Sequence, residues 1–479
     1  MTDFWFNAFG PSVLGWAVGG FALLVSVVAT GHAVLHKREE RAAIGWVGVI
    51  WLAPLIGAFL YLLFGINRIR RTAHRVRGPR PPLELAPPPV VALPEAPPGL
   101  AQLLDQVGRF PLRLGHRIEP LVDGDEAYPA MLEAIGSASR TLGFSSYIFD
   151  RDPTGHRFVE ALAAAQARGC QVRVLVDDAG LRYSFPSVLM DLRRAGVPTA
   201  RFMKVGLRTG RYFNLRTHRK ILLVDGELAF TGGINIRQGH VVGRPPSPGP
   251  QKARDLHFRV EGPAVAQLGQ VFLEDWNFAS GEELSSDEWV GAGSPIEGGH
   301  PARVISDGPD EDFDQLRWAF LGGLTTAQHK VQILTPYFLP DDALQTALIA
   351  TARRGVQVDV LLPERGNLPF VQWAMWARLR DVAETCRVWV SPPPFDHSKL
   401  MLVDDAWVLL GSGNWDPRSF RLNFELQVEA YDSALAERMA GIFEARQKTA
   451  RRLTTADLDA RSLAVRLRDG FAHLFSPYL

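Results

Sequence analysis

The sequence contains few cysteines and has almost no net charge, and both shortages exclude classes of protein. Cys170 and Cys386 are the only cysteines among 479 residues, which excludes a disulfide framework and a cysteine-based zinc site. Lys and Arg total 52 against 51 for Asp and Glu, which excludes a polycation built to coat nucleic acid. Hydrophobic residues make up 47% of the chain, enough for a sizeable core, and the length predicts two or three units.

Asp, Glu, Lys and Arg are absent from residues 4–35 and again from residues 42–67. A helix of about 20 apolar residues crosses the hydrocarbon of a bilayer, and each stretch is long enough. The pattern therefore predicts a transmembrane hairpin of two helices over residues 1–67. A cleaved signal peptide is the alternative for the first stretch, but it should begin with basic residues, whereas the first Lys or Arg is Lys37.

Basic residues predict the orientation of this hairpin. Three lie between the two stretches, and six arginines follow the second: Arg68, Arg70, Arg71, Arg75, Arg77 and Arg80. By the positive-inside rule, the N-terminus and the chain beyond the hairpin face the cytoplasm. Nine prolines between Pro79 and Pro98 predict an extended spacer. Residues 68–100 are thus interpreted as a basic juxtamembrane segment and a proline-rich linker.

The rest of the chain repeats itself. The segment "AAAQARGCQVRVLVD" (163–177) is similar to "IATARRGVQVDVLLP" (349–363), and each reads as a helix end, a glycine stop and a buried strand. Upstream, "GFSSYIFD" (143–150) matches "ILTPYFLP" (333–340). We therefore predict an α/β fold of two duplicated halves, residues 101–298 and 299–479, which meet face to face around one pseudo-twofold cleft.

Each predicted half carries one copy of the same polar motif. The first copy, HxKx4Dx6Gx2N, contains His218, Lys220, Asp225 and Asn235, and the second contains His397, Lys399, Asp404 and Asn414. One HxK pattern is weak evidence, but two complete copies at matching places indicate function. A metal site is not expected, because an ammonium group beside each imidazole repels a cation.

These residue types suit phosphodiester chemistry. A neutral imidazole can attack phosphorus while a protonated one protonates the leaving alkoxide. Two lysines and two asparagines supply donors for the non-bridging oxygens. Asp255 and Glu425 follow their motifs and are candidates to fix the tautomers of the two rings. The alternative for both is an ordinary surface or salt-bridged acid.

The paired motifs resemble those of the phospholipase D superfamily, with bacterial cardiolipin synthases the most similar subfamily. The stretches that carry the resemblance include "LRTHRKILLVDGELAFTGGINI", "ILTPYFLPDDAL" and "DPRSFRLNFE". The resemblance implies a nucleophile at His218 and a general acid at His397. It implies phosphate binding by Lys220, Lys399, Asn235 and Asn414, and a supporting role outside the direct chemistry for Asp225 and Asp404, which belong to the same catalytic motifs.

The resemblance further implies a multi-pass phosphatidyltransferase of the bacterial inner membrane that makes cardiolipin and glycerol from two phosphatidylglycerol molecules. Another phospholipid is an alternative donor, and no cofactor, metal or nucleic acid is expected. Three other functions stay open: a phospholipase D-type hydrolase that releases phosphatidic acid, a membrane-tethered nuclease or other phosphodiesterase, and a non-catalytic scaffold. The oligomeric state is not indicated by the sequence.

The C-terminal run "LAVRLRDGFAHLFSPYL" (463–479) alternates apolar and basic residues with the period of a helix. Two interpretations are open for it. Such a helix can dock on a membrane surface, or it can pack on its own domain.

Overall fold

The computed structural model describes residues 11–37, 40–65, 93, 97, 99–204, 214–243, 251–291, 293–310 and 312–476. The chain forms two compact units, residues 1–75 and 76–479. The predicted arginine-rich segment and nearly all of the predicted proline-rich linker lie outside the described residues.

The N-terminal unit consists of short and long apolar helices. Helix α1 spans Pro11–His36, α2 spans Glu40–Leu52, α3 spans Pro54–Leu60, and a π-helical turn covers Tyr61–Gly65. Within α1, Gly15–His36 is the one segment of the described chain that is long and apolar enough to cross a membrane. Tyr61 Oη lies 2.8 Å from His32 Nδ1, which joins the π-helical turn to α1.

The second apolar stretch does not form one spanning helix, and the predicted two-span hairpin is therefore not supported. The stretch is divided between α2 and α3 because Pro54 has no N–H to donate to the preceding turn and its ring clashes with that turn. Proline is instead tolerated in the first turn of α3. The two pieces, Ala42–Leu52 and Pro54–Gly65, are each shorter than a bilayer requires.

The second unit begins with α4 and the first repeat. The elements in chain order are α4 Leu100–Val107, β1 Arg113–Val122, α5 Asp123–Ser137, β2 Thr141–Ser146, α6 Pro153–Ala167, β3 Gln171–Asp177, α7 Leu189–Arg194, β4 Thr199–Phe202, β5 Arg216–Thr217, β6 Ile221–Val224, β7 Leu228–Gly232, β8 Ala253–Arg254, β9 Leu256–Glu261, α8 Ala264–Ser280 and α9 Ser286–Trp289.

The second repeat follows a similar order, with a short helix in place of β8 and with one strand and two helices in place of α9 at its end. Its elements are β10 His300–Asp307, α10 Gln315–Thr326, β11 Lys330–Leu334, α11 Asp342–Arg353, β12 Gln357–Pro363, α12 Pro369–Thr385, β13 Arg387–Ser391, β14 Phe395–Asp396, β15 Leu400–Val403, β16 Trp407–Gly411, α13 Pro417–Arg421, β17 Asn423–Tyr431, α14 Ser433–Gln447, β18 Arg451–Leu453, α15 Thr455–Asp459 and α16 Leu463–His473.

One mixed sheet runs through both repeats. The first seven strands from the centre outward follow the same order on each side, and the second repeat adds β18 at its edge. The first repeat reads β1-β9-β7-β6-β2-β3-β4, and the second reads β10-β17-β16-β15-β11-β12-β13-β18. The central strands β1 and β10 are antiparallel, as a twofold relation between the repeats requires. The predicted duplication is thus visible in the order and direction of the strands.

Helices cover both faces of the sheet, because alternate side chains of each strand point to opposite faces. On β6, Leu222 and Val224 join the core under α5 and α6, whereas Ile221 and Leu223 join a second core under α8. That second core also takes in α14 and alternate residues of β15 and β17. A single hydrophobic layer therefore ties the two repeats together.

Two very short strands cross from one repeat to the other. β5 pairs in parallel with the start of β17, with Arg216 opposite Asn423 and Thr217 opposite Phe424. In the other direction, β14 pairs with β8. Each short strand ends one residue before a motif histidine, so these crossings determine where His218 and His397 lie.

Candidate active site

The two motif histidines face each other between the repeats. The backbone N–H of His218 donates to Phe424 O at 2.9 Å, and that of His397 donates to Arg254 O at 2.8 Å. Each histidine is therefore fixed by the backbone of the opposite repeat. The ring centroids lie 6.4 Å apart with an interplanar angle of 81°. A phosphoryl group held between the rings would have an imidazole on either side.

Each histidine contacts a carboxylate of the opposite repeat. His218 Nδ1 lies 3.0 Å from Glu425 Oε2, and His397 Nδ1 lies 2.7 Å from Asp255 Oδ2. Both carboxylates are fully buried. A ring whose Nδ1–H donates to a carboxylate keeps the lone pair of its neutral form on Nε2. Both Nε2 atoms are thus left for reaction.

Glu425 is held by four side chains. Besides the His218 ring, it accepts hydrogen bonds from Ser412 Oγ at 2.6 Å, Ser419 Oγ at 2.9 Å and Asn423 Nδ2 at 3.0 Å. Burial by itself raises the pKa of Glu425, but the nearby His218 and Lys220 and these hydrogen bonds outweigh burial and hold the pKa at about 2. The carboxylate is therefore ionised at neutral pH and keeps the His218 ring in one orientation.

The carboxylate of Asp255 is held by different contacts and lies close to the backbone of Gly233. Its Oδ1 accepts a hydrogen bond from Leu256 N at 2.8 Å. A Cβ atom at Gly233 would lie 2.1 Å from that oxygen, so the close approach requires glycine. The matching position of the second repeat is Ser412, whose hydroxyl binds Glu425. The two repeats therefore differ in how they support their carboxylates.

Lys220 and Lys399 are buried beside the histidines. Lys220 Nζ donates to His218 O at 2.5 Å. Lys399 Nζ donates to His397 O and lies 3.0 Å from His397 Nδ1. Burial disfavours the ammonium form and lowers the pKa of Lys220 to about 7 and that of Lys399 to about 8. The positive charge of the site is thus sensitive to pH near neutrality.

Burial also lowers the pKa of each motif histidine. For His218, Glu425 partly opposes the effect of burial, whereas for His397 the neighbouring Lys399, His218, Lys220 and Arg237 add to it. Both rings therefore favour the neutral form in the protein alone. A phosphodiester anion bound between them would favour protonation of one ring.

Arg219, between the two site residues of the first motif, points the other way. Its guanidinium donates to Asp275 at 2.9 Å and 3.1 Å and to Ser306 Oγ at 2.7 Å, all within the core. Strand β6 begins at Ile221, directly after Lys220. His218 and Lys220 nevertheless share a side, because Arg219 is anchored on the opposite one.

The two motif asparagines are buried at the ends of β7 and β16. Asn235 Oδ1 accepts a hydrogen bond from Ile148 N at 3.0 Å. Asn414 Nδ2 lies 3.3 Å from Ser419 Oγ, the hydroxyl that also binds Glu425. The two asparagines thus have different partners, and that of Asn414 belongs to the support of the first histidine.

Asp225 and Asp404 lie outside the site, at the far ends of β6 and β15. Asp225 accepts hydrogen bonds from the backbone N–H groups of residues 139, 140 and 141, at 2.7–2.9 Å. Asp404 does the same for residues 328, 329 and 330. Both acids therefore tie a strand turn to the start of a neighbouring strand, and neither touches the histidines.

Two tyrosines contact the histidines and were not singled out from the sequence. The Tyr147 ring lies 5.3 Å from the His218 ring, and the Tyr337 ring lies 6.3 Å from the His397 ring, both edge to face. They occupy the same place in the matched segments 143–150 and 333–340. This matching position was the signal that could have identified the two tyrosines from the sequence. His240, whose ring lies 6.4 Å from that of His397, had no counterpart in the second repeat to mark it.

The acidic and histidine side chains of the site are engaged with one another. Among the residues that the structure describes, no group of three or more His, Cys, Asp or Glu side chains is arranged to hold a metal ion. The chemistry that this arrangement can perform is that of two imidazoles and two ammonium groups around one anion.

Comparisons with known proteins agree with this geometry. A family profile described as "Cardiolipin synthase, PLD-like domain" matches residues 131–276 and 321–447. A second profile, "Phospholipase_D-nuclease N-terminal", matches residues 24–65. A cardiolipin synthase of Geobacillus sp. (strain WCH70) is 29% identical over 97% of this chain and 95% of its own. A cardiolipin synthase of Oceanobacillus iheyensis is 29% identical over 96% of this chain and 97% of its own.

The fold also has a solved relative. The crystal structure of phosphatidylserine synthase from Haemophilus influenzae Rd KW20 matches with a TM-score of 0.62 at 15% identity, over 79% of this chain and all of that one. At that identity the likeness concerns the fold alone. The two matched segments of the first profile cover more than half of the chain and contain both histidine motifs. The chain therefore belongs to the family of cardiolipin synthase, phospholipase D-like domains.

Proposed function

We propose that this protein is a membrane-associated phosphatidyltransferase that makes cardiolipin and glycerol from two phosphatidylglycerol molecules through a phosphohistidine intermediate. The observation that carries the proposal is the pair of facing imidazoles, 6.4 Å apart, each with its Nδ1 on a buried carboxylate. The cardiolipin synthases that match over nearly the whole chain support the choice of substrate.

In the first step, His218 Nε2 attacks the phosphorus of the donor, and the bond from phosphorus to the oxygen of the headgroup glycerol breaks. His397 gives that oxygen a proton, so glycerol leaves as a neutral alcohol. Glu425 holds the Nδ1–H of His218 and stabilises the positive charge that develops on the ring. The phosphatidyl group is then bonded to His218.

In the second step, the roles reverse. Neutral His397 takes a proton from a hydroxyl of the second phosphatidylglycerol, and the resulting oxygen attacks phosphorus while the bond to His218 Nε2 breaks. Cardiolipin leaves and His218 is neutral again. His397 releases its proton as the anionic product leaves and takes up another when the next donor anion binds. Lys220 and Lys399 neutralise the non-bridging oxygens in both steps, with Asn235 and Asn414 as neutral donors.

Helix α1 provides the attachment to the membrane. Lys37, Arg38 and Arg41 follow it within a few residues, whereas residues 1–10 contain neither Lys nor Arg. With one span, the positive-inside rule places the catalytic unit in the cytoplasm of a bacterial cell and the N-terminus outside. A reporter active only in the periplasm should therefore be silent after Leu479. Its activity there would reverse the proposed orientation.

Lipid analysis tests the reaction itself. Purified protein in phosphatidylglycerol vesicles should yield cardiolipin and glycerol, with phosphatidic acid as a minor product, by mass spectrometry. The His218→Ala variant should yield none of them, whereas His329→Ala, at an exposed histidine outside the site, should match the unmodified protein. Phosphatidic acid as the main product would mean that water is the acceptor and that the protein is a hydrolase.

A trapping experiment tests the intermediate. With a donor that is labelled at phosphorus and carries p-nitrophenol, a leaving group that needs no proton, the His397→Ala variant should accumulate label on the protein, because the acceptor hydroxyl loses its general base. The label should be acid-labile and absent from the His218→Ala, His397→Ala double variant. Label retained in that double variant would exclude His218 as the nucleophile.

A further inference from the structure

The C-terminal helix α16 presents its apolar side chains away from the domain on which it packs. Leu463, Leu467, Phe471 and Leu474 are 60–72% exposed, while Asp469 is buried. Their spacing places the four apolar residues in one line along the helix. A helix stabilised only by its own domain would turn this line inward. We call these four residues the exposed stripe.

Specific contacts fix the helix in this orientation. The Arg468 guanidinium lies 4.6 Å from the Trp373 ring, and that of Arg461 lies 4.9 Å from the Trp376 ring, both on α12. Asp469 accepts hydrogen bonds from both arginines. The buried side of α16 therefore carries Asp469 and Ala472, and the stripe faces outward.

The stripe is continuous with the surface that leads to His397. Phe475, at the end of α16, packs with its ring 5.8 Å from that of Phe370 at the start of α12. Leu368, two residues earlier, is exposed, and Asn367 Oδ1 accepts a hydrogen bond from Tyr337 Oη at 2.7 Å. Tyr337 is the tyrosine whose ring faces His397.

The equivalent loop of the first repeat has the same character. Tyr147, which faces His218, has its ring 6.3 Å from that of Tyr183 in the loop after β3. Phe185, two residues further, is fully exposed. Both loops that reach the tyrosines beside the histidines thus carry an apolar side chain into solvent, one on each side of the site.

We propose that α16 lies flat in the headgroup layer of an anionic bilayer, with the exposed stripe in contact with lipid, and that this contact directs the catalytic site toward the membrane. The inference rests on the proposed function, because it supplies lipid substrates to that same site. Arg466 is exposed beside the stripe, and Arg468 borders its other side. Basic residues flanking an apolar face match a surface of phosphatidylglycerol.

Fluorescence quenching tests the contact directly. The full chain is reconstituted in vesicles of phosphatidylglycerol and phosphatidylethanolamine and labelled at Leu467→Cys, since both native cysteines are buried. Lipids that carry a quencher in the acyl chain should quench this label several-fold more than one at Ala164→Cys, an exposed position on α6. Equal quenching at the two positions overturns the proposal. So does a disulfide between the Leu467→Cys residues of two chains, which would make a second copy the partner.

Turnover gives a second test that separates this contact from the catalytic chemistry. The Leu467→Glu, Phe471→Glu double variant should lose about 10-fold in activity on vesicles. It should keep full activity on short-chain phosphatidylglycerol dissolved as monomers. Ala164→Glu should change neither. Equal loss on both substrates, or no loss on vesicles, overturns the proposal. If the unmodified protein makes no cardiolipin, the proposed function fails, whereas the quenching result stands independently.

Discussion

At the scale of single residues, the carboxylate contacts decide how each histidine behaves. Glu425→Gln keeps the shape of the side chain but removes the charge that orients and stabilises the His218 ring. We expect kcat to fall by about 10²–10⁴-fold, as when the acid of a catalytic triad becomes an amide. Steady-state kinetics in mixed micelles measure this. Glu429→Gln is unsuitable as a control because Glu429 pairs with buried Arg303. Glu437→Gln, at an exposed position, serves as the control and should leave kcat unchanged.

Gly233 is required by the position of Asp255. In Gly233→Ala, the new Cβ would meet Asp255 Oδ1 at 2.1 Å, and the carboxylate would have to leave its place beside His397. A displacement of about 1 Å at a catalytic group costs about 100-fold in rate. Gly136→Ala, on the exposed side of α5 with open space around it, is the matched control. Full activity in Gly233→Ala would show that Asp255 does not need this position.

The buried lysines predict the alkaline limb of the pH profile. The pKa of Lys220 is lowered to about 7 and that of Lys399 to about 8, so both ammonium groups lose protons as the pH rises through this range. The profile of kcat/KM reports groups of the free enzyme and should therefore fall between about pH 7 and 8. Below neutrality it should fall again once His218 becomes protonated, since burial lowers the pKa of that ring. A profile that keeps rising past pH 9 would contradict the assignment.

The sequence indicates candidate site residues, but it does not indicate how they pair. His218, Lys220, His397 and Lys399 repeat at fixed offsets, and repetition is visible in a sequence. The partners of His218 and His397 depend on β5 and β14, each only two residues long. Two residues carry no periodicity, so the crossing of each histidine to the opposite carboxylate could not be read from the sequence.

At the scale of secondary-structure elements, Asp225 and Asp404 act as ties between strands. Asp225→Asn retains the left-handed backbone that this position adopts, with φ of 53°, because asparagine tolerates it. It replaces one acceptor oxygen by a donor facing Ser139 N–H. We expect the free energy of unfolding to fall by about 1–3 kcal/mol, with kcat changed only slightly. Denaturant unfolding in detergent measures the loss. Glu227→Ala, at an exposed ion pair of the same turn, should change it by less than about 1 kcal/mol.

The helices near the N-terminus show where composition misleads. The stretch 42–67 has no charges and is long enough to span, and those two properties predicted a second transmembrane helix. A helix also needs an unbroken chain of backbone hydrogen bonds, and Pro54 interrupts that chain. The proline was visible in the sequence, and weighing it would have separated α2 from α3. Strands β3 and β12, by contrast, were correctly anticipated, because glycine stops and buried apolar runs specify local structure directly.

At the scale of the whole molecule, we propose that the repeats divide at residues 298 and 299 and that neither is active alone. His218 lies in residues 101–298, but its carboxylate Glu425 lies in residues 299–479. The reverse holds for His397 and Asp255. Each half expressed alone with the N-terminal segment should therefore show no turnover, and joint expression of both halves should restore some. Turnover by a single half, measured as cardiolipin formed, would contradict the crossed arrangement.

The crossed histidine–carboxylate pairs also govern how the two repeats can change over generations. Duplication ordinarily leaves one copy free to drift while the other preserves the original task. Here a substitution of the carboxylate in one repeat alters the imidazole of the other repeat. The substitution therefore affects fitness through the repeat that did not mutate. Neither repeat is therefore free to diverge alone. Two separate genes would have to evolve together to preserve these pairs, whereas here both repeats are inherited as one chain.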